Sequence, residues 1–284
     1  MNGGGTPVRR VRARGGAELP ALGLGTYRMG EDRTQRANEV AALRLGLDLG
    51  MTLIDTAEMY ADGGAEEVTG EVVKGRRGEV FIVTKVLPHN ASRQGTIEAA
   101  ERSLRRLGTD RIDLYLLHWQ GSHPLEETFD AFAQLAHEQK IVHYGVSNFD
   151  VGKMEDAENL RGGAGIVANQ VLYNLNQRGI EWNLLPWCSE RRIAVMAYSP
   201  LDEGRLAHRN SLSEVARRHG TTEECVALAW TLRQRWMVSI PKSATLDHVR
   251  TNYTAISLML SDEDLADLDR DYPAPKGPTP LVIT

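Results

Sequence analysis

Short β-rich apolar runs alternate with longer stretches of helical periodicity along this 284-residue chain. The runs are Leu22–Leu24, Thr52–Ile54, Val80–Val83, Ile112–Leu117, Ile141–Gly145, Ile166–Asn169, Ile193–Ala197 and Met237–Ile240, spaced about 31 residues apart on average. Between them, Ile97, Ala100, Leu104 and Leu107, and likewise Leu125, Phe129, Phe132 and Ala136, recur at helical intervals. Thr221 with Glu224, and Ser261 with Asp264, read as capping boxes opening helices, and a further helix is expected over Leu246–Thr254. Strands alternating with helices imply right-handed βαβ units on a parallel sheet, and eight such units close a (β/α)8 barrel. Residues Val8–Pro20, with Gly15-Gly16 at their centre, read as a β-hairpin placed to plug one barrel end. An open doubly wound sheet is the rival. Its G-x-G-x-x-G turn has one candidate, Gly23-Leu24-Gly25-Thr26-Tyr27-Arg28, which lacks the third glycine.

The length allows two domains or one large barrel, and with no composition break or linker the expectation is a single barrel domain over 1–284, residues 1–7 being flexible. Apolar residues at 42% and charged residues at 25% exclude a disordered chain. The net charge of −5 gives no reason to expect nucleic-acid binding. No run approaches the roughly 18 apolar residues of a membrane span, and no apolar signal segment follows the first residues. Cys188 and Cys225 have no CxxC partner and read as free thiols, so no metal site is expected and the cytoplasm is the expected compartment.

In such a barrel the carboxyl ends of the strands converge on one open face. Asp55 follows Thr52–Ile54, Lys85 ends the run from Val80, His118 ends the run from Leu114, and Tyr60 lies one loop beyond Asp55. Singly, each has an ordinary structural reading: an ion pair at the barrel mouth, a hydrogen-bonded histidine, a packed tyrosine. Together they suit proton donation to a carbonyl. A lysine ammonium favours the phenolate and lowers the tyrosine pKa, a carboxylate holds that lysine charged, and a histidine orients the carbonyl oxygen. Ser147, Asn148 and Gln170, at further strand ends, could cap loops or read a carboxamide. Lys242-Ser243-Ala244-Thr245, just before the expected helix at Leu246, suits either a phosphate or a simple N-cap.

Eight segments, in order along the chain, resemble the aldo-keto reductases. They are Gly25-Thr26, Asp55-Thr56-Ala57 with Tyr60, Thr84-Lys85-Val86, Leu117-His118-Trp119, Gly145–Phe149, Asn169-Gln170, Ala197–Leu201 and Ile240–Ser243. The loop 55–70 and the ending Tyr272–Gly277 look nearest to short-tailed bacterial members that reduce methylglyoxal and related aldehydes. The resemblance implies NADPH-dependent reduction of small carbonyls, with Tyr60 as general acid, Lys85 and Asp55 tuning it, and His118 positioning the carbonyl. It further implies that Ser147, Asn148 and Gln170 hold the nicotinamide carboxamide of NADPH (NADP+) and that Tyr198 stacks on its ring. Gly25, Thr26 and Asp55 would border the cofactor, Ser199 and Leu201 would line its pyrophosphate and ribose, and Lys242, Ser243, Thr245, His248 and Asn252 would grip its adenosine 2′-phosphate. Tyr27, Met59 and Trp119 would wall the substrate beside Tyr60 and His118. Three positions depart from the family pattern. His248 stands where an arginine is usual and Thr251 where an acid is usual, which weakens the expected preference for NADP, and Tyr27 replaces a common tryptophan. The family also implies a monomer that acts on a small-molecule carbonyl with no nucleic-acid or membrane partner. The alternative is a cofactor-sensing subunit whose catalysis is vestigial.

Overall fold

A computed structural model of the chain describes residues 6–206 and 209–283. Its strands are β1 (Arg10–Arg12), β2 (Glu18–Pro20), β3 (Gly23–Gly25), β4 (Leu53–Asp55), β5 (Phe81–Val86), β6 (Ile112–Leu117), β7 (Ile141–Ser147), β8 (Ile166–Leu172), β9 (Ala194–Tyr198) and β10 (Met237–Ser239). The last eight pair in parallel in chain order, and bridges of Leu22 with Ser239 and of Gly25 with Lys242 bring β10 back to β3. The expected (β/α)8 barrel is therefore the observed one. Gly25 is needed at that seam, because a Cβ there would lie 2.9 Å from the Ile240 carbonyl oxygen.

Alternating strand residues face opposite ways, which sorts the apolar side chains into two sets. Ile54, Ile82, Tyr115, Leu117 and Val195 face outward and meet the helix faces of Val68, Leu104 and Phe132. Leu53, Val83, Leu114, Leu116, Ala168, Met196 and Val238 fill the interior together with Val11 and Leu19 of the hairpin. The antiparallel pair β1–β2 is thus a plug. Its turn uses left-handed Gly15 and Gly16. Arg14 locks it to the amino-terminal strand ends by donating to the carbonyls of Ile166 and of Gly163 (2.9 Å). Plugging that end leaves the opposite, carboxyl-terminal face for chemistry.

The helices at Leu125–His137 and Leu246–Thr254 span the expected residues, and the stretch around Ile97 lies within a helix at Arg93–Leu107. One cap differs from the sequence expectation. The helix Glu223–Leu232 is capped by Thr222, whose hydroxyl accepts from Cys225 N, rather than by Thr221 with Glu224. The Thr221 amide is already committed to the Ala216 carbonyl at 3.0 Å, closing off the preceding helix, so the next one starts a residue later. The Ser261–Asp264 capping box forms as expected. Asp264 is buried there, accepting from Ser261 N (2.8 Å) and pairing with Arg218 and His219. Burial would raise its carboxyl pKa, but His219, Ser261 and Arg218 overcome this and hold it well below the usual range. Asp264→Ala removes the carboxylate half of the capping box and the pairing with Arg218 and His219, and we expect it to lower unfolding free energy by about 2–3 kcal/mol in a urea melt while turnover is retained. Among the described residues no helix is long and apolar enough to cross a membrane. Cys188 and Cys225 are buried free thiols.

Candidate active site

The strand exits of β4, β5 and β6 converge as the sequence spacing implied. Lys85, fully buried on β5, points its Nζ at three oxygens: Asp55 Oδ2 (2.9 Å), the Thr56 carbonyl (2.7 Å) and Tyr60 Oη (3.2 Å). Asp55 is held from its other side by Gln170 Nε2 at 2.7 Å. His118 packs edge-on to Tyr60, ring centres 6.0 Å apart, and Tyr27 meets Tyr60 from another side at 5.4 Å.

Burial decides the electrostatics of this cluster. Desolvation is the largest influence on Lys85 and opposes its charge, but Asp55 and Tyr60 outweigh it, so the ammonium persists above the ordinary lysine range. For Tyr60 the balance corrects the sequence expectation. Burial raises its pKa more than the Lys85 charge lowers it, and the nearby Asp55 adds to the rise, so the phenol keeps its proton above the ordinary range. Burial, helped by the charge on Lys85, pushes His118 down to about 2, which makes the imidazole neutral at physiological pH. Its Nδ1 is buried with no hydrogen-bond partner among the described residues.

These groups open onto a cavity of about 1000 Å³. Met59 and Trp119 wall it beside Tyr27, Tyr60 and His118, while Ser147, Asn148, Gln170 and Tyr198 form the floor, with Gly25 and Thr26 adjoining. The floor is pre-organised. Ser147 Oγ donates to the Gln170 carbonyl (2.8 Å), Asn148 Nδ2 donates to the His118 carbonyl (3.2 Å), and Tyr198 Oη donates to Asn148 Oδ1 (3.1 Å). Ser199, Leu201, Lys242, His248 and Asn252 continue the wall. Ser243 and Thr245 are not brought to it: Ser243 Oγ donates to the Thr245 carbonyl, and Thr245 caps the helix that follows. Backbones in the left-handed region concentrate around this cavity. Arg28, Ala61, Asp62, Asn148, Ser199, Asp202 and Glu203 all have positive φ without being glycine, and each such residue carries strain of order 1 kcal/mol.

Several walls were not singled out from the sequence. Arg28 and Glu203 lie in loops whose composition carries no signal. Thr222, Glu223 and Glu224 sit at a helix start, where acids are ordinary. Ile283, in the tail that looked merely short, also reaches the cavity.

The residues present fit a dinucleotide. The cavity far exceeds a small carbonyl, its floor offers amide and hydroxyl groups of both polarities, and its far wall carries the Lys242 ammonium beside the start of helix Leu246–Thr254. A plugged eight-stranded barrel with this Asp–Tyr–Lys–His cluster at its open end defines an oxidoreductase. The chain belongs to the aldo/keto reductase family, whose model matches residues 21–272. It is 51% identical over 280 residues to methylglyoxal reductase YeaE of Escherichia coli (strain K12), covering 96% of this chain and 98% of that one. It is 33% identical to glyoxal reductase of Bacillus subtilis (strain 168), covering 91% of each chain. An aldo/keto reductase from Klebsiella pneumoniae, solved in complex with NADP and acetate, matches with a TM-score of 0.94 at 47% identity, covering 97% of this chain and 99% of that one.

Proposed function

We propose that the protein reduces small aldehydes and ketones, methylglyoxal among them, to alcohols at the expense of NADPH, with Tyr60 as the proton donor. The observation that carries this is the Lys85 ammonium held between the Asp55 carboxylate and the Tyr60 phenol, 2.9 and 3.2 Å away, facing a cavity bordered by a neutral histidine. Bound NADPH supplies the hydride that the protein itself lacks.

Asn148, Ser147 and Gln170 would hold the carboxamide of the bound cofactor, and Tyr198 would flank its ring. His118, being neutral, donates a hydrogen bond to the carbonyl oxygen and so orients it towards Tyr60. As negative charge grows on that oxygen, Tyr60 gives up its proton, because an alkoxide is a much stronger base than a phenolate even when the phenol pKa is raised. Lys85 then stabilises the phenolate in a site that excludes bulk water, the stage at which fixed charge lowers a barrier. Tyr27, Met59 and Trp119 shape the substrate end. The complete four-residue cluster argues for turnover rather than for a sensor with vestigial catalysis. Other roles inferred from the family, including action as a monomer, follow the same reading.

The test is consumption of NADPH by wild type with methylglyoxal, glyoxal and a panel of bulkier ketones, with alcohol identified as product. Tight NADPH binding without turnover on any of them would sink the proposal. His248 bears on cofactor choice. On this reading it stands beside the 2′-phosphate with less charge than an arginine, so His248→Arg should tighten NADPH binding about tenfold, the worth of one exposed charge-assisted contact, and leave NADH unchanged in fluorescence titrations.

A further inference from the structure

Two residues before Tyr60, Glu58 is buried and turned away from the cavity. Its Oε1 accepts from the Leu87 amide (2.8 Å) and from Asn90 Nδ2 (3.0 Å), and its Oε2 faces Arg102 at 3.6 Å. Leu87 follows Lys85 by two residues, just past the end of β5. One carboxylate therefore joins the loop that carries Tyr60 to the strand that carries Lys85, on the side opposite the reacting groups. From these contacts we infer that Glu58 is a positioning residue, a clamp that fixes the Tyr60 hydroxyl against the Lys85 ammonium.

The need for a clamp follows from the loop itself. Upstream, Thr56 is secured to β5 by its backbone N–H, which donates to the Val83 carbonyl (2.8 Å). Downstream, Ala61, Asp62 and Gly63 are all left-handed, with φ of 52, 51 and 92°, before the helix Gly64–Val73 begins. Three such residues in succession form no regular ladder, and Ala61 and Asp62 store strain that pulls towards other conformations. The Tyr60–Lys85 contact, at 3.2 Å, is too weak to restrain that segment alone. Glu58 supplies two hydrogen bonds in a dry environment, and as a charged acceptor it makes them of the stronger kind.

The inference rests on the proposed role of Tyr60, and the test separates the two. Glu58→Ala should lower kcat for carbonyl reduction roughly 10- to 100-fold, the scale of a catalytic group displaced by about 1 Å, with NADPH affinity retained. Glu58→Gln keeps an acceptor for Leu87 and Asn90 and should recover most of that kcat. Asn90→Ala, which removes one of the two donors, should give a smaller loss, and it carries the test if Glu58→Ala does not fold. Independently of turnover, NMR of carbon-13-labelled tyrosine, with Tyr60→Phe to assign the signal, reads the ionisation of Tyr60 among Lys85, Asp55 and Tyr198. A loosened loop hydrates the phenol, so in Glu58→Ala that ionisation should move down towards ordinary tyrosine. An unshifted Tyr60 titration in a folded Glu58→Ala protein overturns the clamp, as does wild-type kcat in that variant or failure of Glu58→Gln to recover it. A wild type that reduces no carbonyl, yet shows the shifted titration in Glu58→Ala, overturns the reductase reading and leaves the clamp standing.

Discussion

Tyr60→Phe is expected to lower kcat for methylglyoxal reduction by roughly 10²- to 10⁴-fold, the usual range for deleting a positioned general acid, while NADPH binds as before. The substitution removes one oxygen and retains the ring, so the edge contacts to Tyr27 and His118 survive. The charges on Lys85 and Asp55 stay paired at 2.9 Å. A loss of turnover would therefore report the missing proton and not a collapsed site. The pH dependence should agree. Tyr60 titrates above the ordinary tyrosine range and donates only while protonated, so the wild-type reduction step falls off only as pH rises past about 10. His118, with its pKa near 2, produces no acid limb of its own in the physiological range. A wild-type profile falling between about pH 6 and 8, where an ordinary histidine titrates, would contradict the neutral imidazole.

Lys85→Met should have the largest combined effect. The methionine fills similar space, but the carboxyl group of Asp55, 3% exposed, loses its ammonium partner and keeps Gln170 Nε2 as its donor. Stranding one partner of a buried ion pair costs about 3–5 kcal/mol, so the urea midpoint should drop sharply and reduction should disappear with it. The double variant Asp55→Asn, Lys85→Met distinguishes the two consequences. With both charges removed most of the stability should return, because well-packed neutral replacements of a buried pair are commonly tolerated, whereas activity should stay lost. Recovery of activity in the double variant would show that Lys85 matters for folding and not for proton transfer.

Local patterning carried the sequence reading far. The barrel strands are largely buried on both faces, β7 with its exposed Val142 excepted, so they announce themselves as apolar runs, and Asp55, Lys85 and His118 are conspicuous because each closes such a run with an ionisable group. What the sequence withheld depends on packing between distant segments. The direction of the Tyr60 shift required knowing that burial outweighs a lysine 3.2 Å away. The cap at Thr222 turned on the neighbouring Thr221 amide being spent on Ala216. Ser243 Oγ donates to the Thr245 carbonyl and Thr245 Oγ1 accepts from His248 N, local turn bonds that the motif by itself did not give. Glu58 looked like any loop acid, since its partners Leu87 and Asn90 lie about 30 residues on.

Of the nine non-glycine residues with left-handed backbone among those described, seven lie in loops at the open end and two, Gln139 and Arg192, before strands at the plugged end. The two rims should therefore evolve at different tempos. Around the plug a lineage is free to accumulate changes that harden the scaffold, since none of them alters what the cavity recognises. At the open rim each relaxation of the backbone moves a wall of the cavity, so new substrate preferences arise there and draw on the reserve of stability held at the other end.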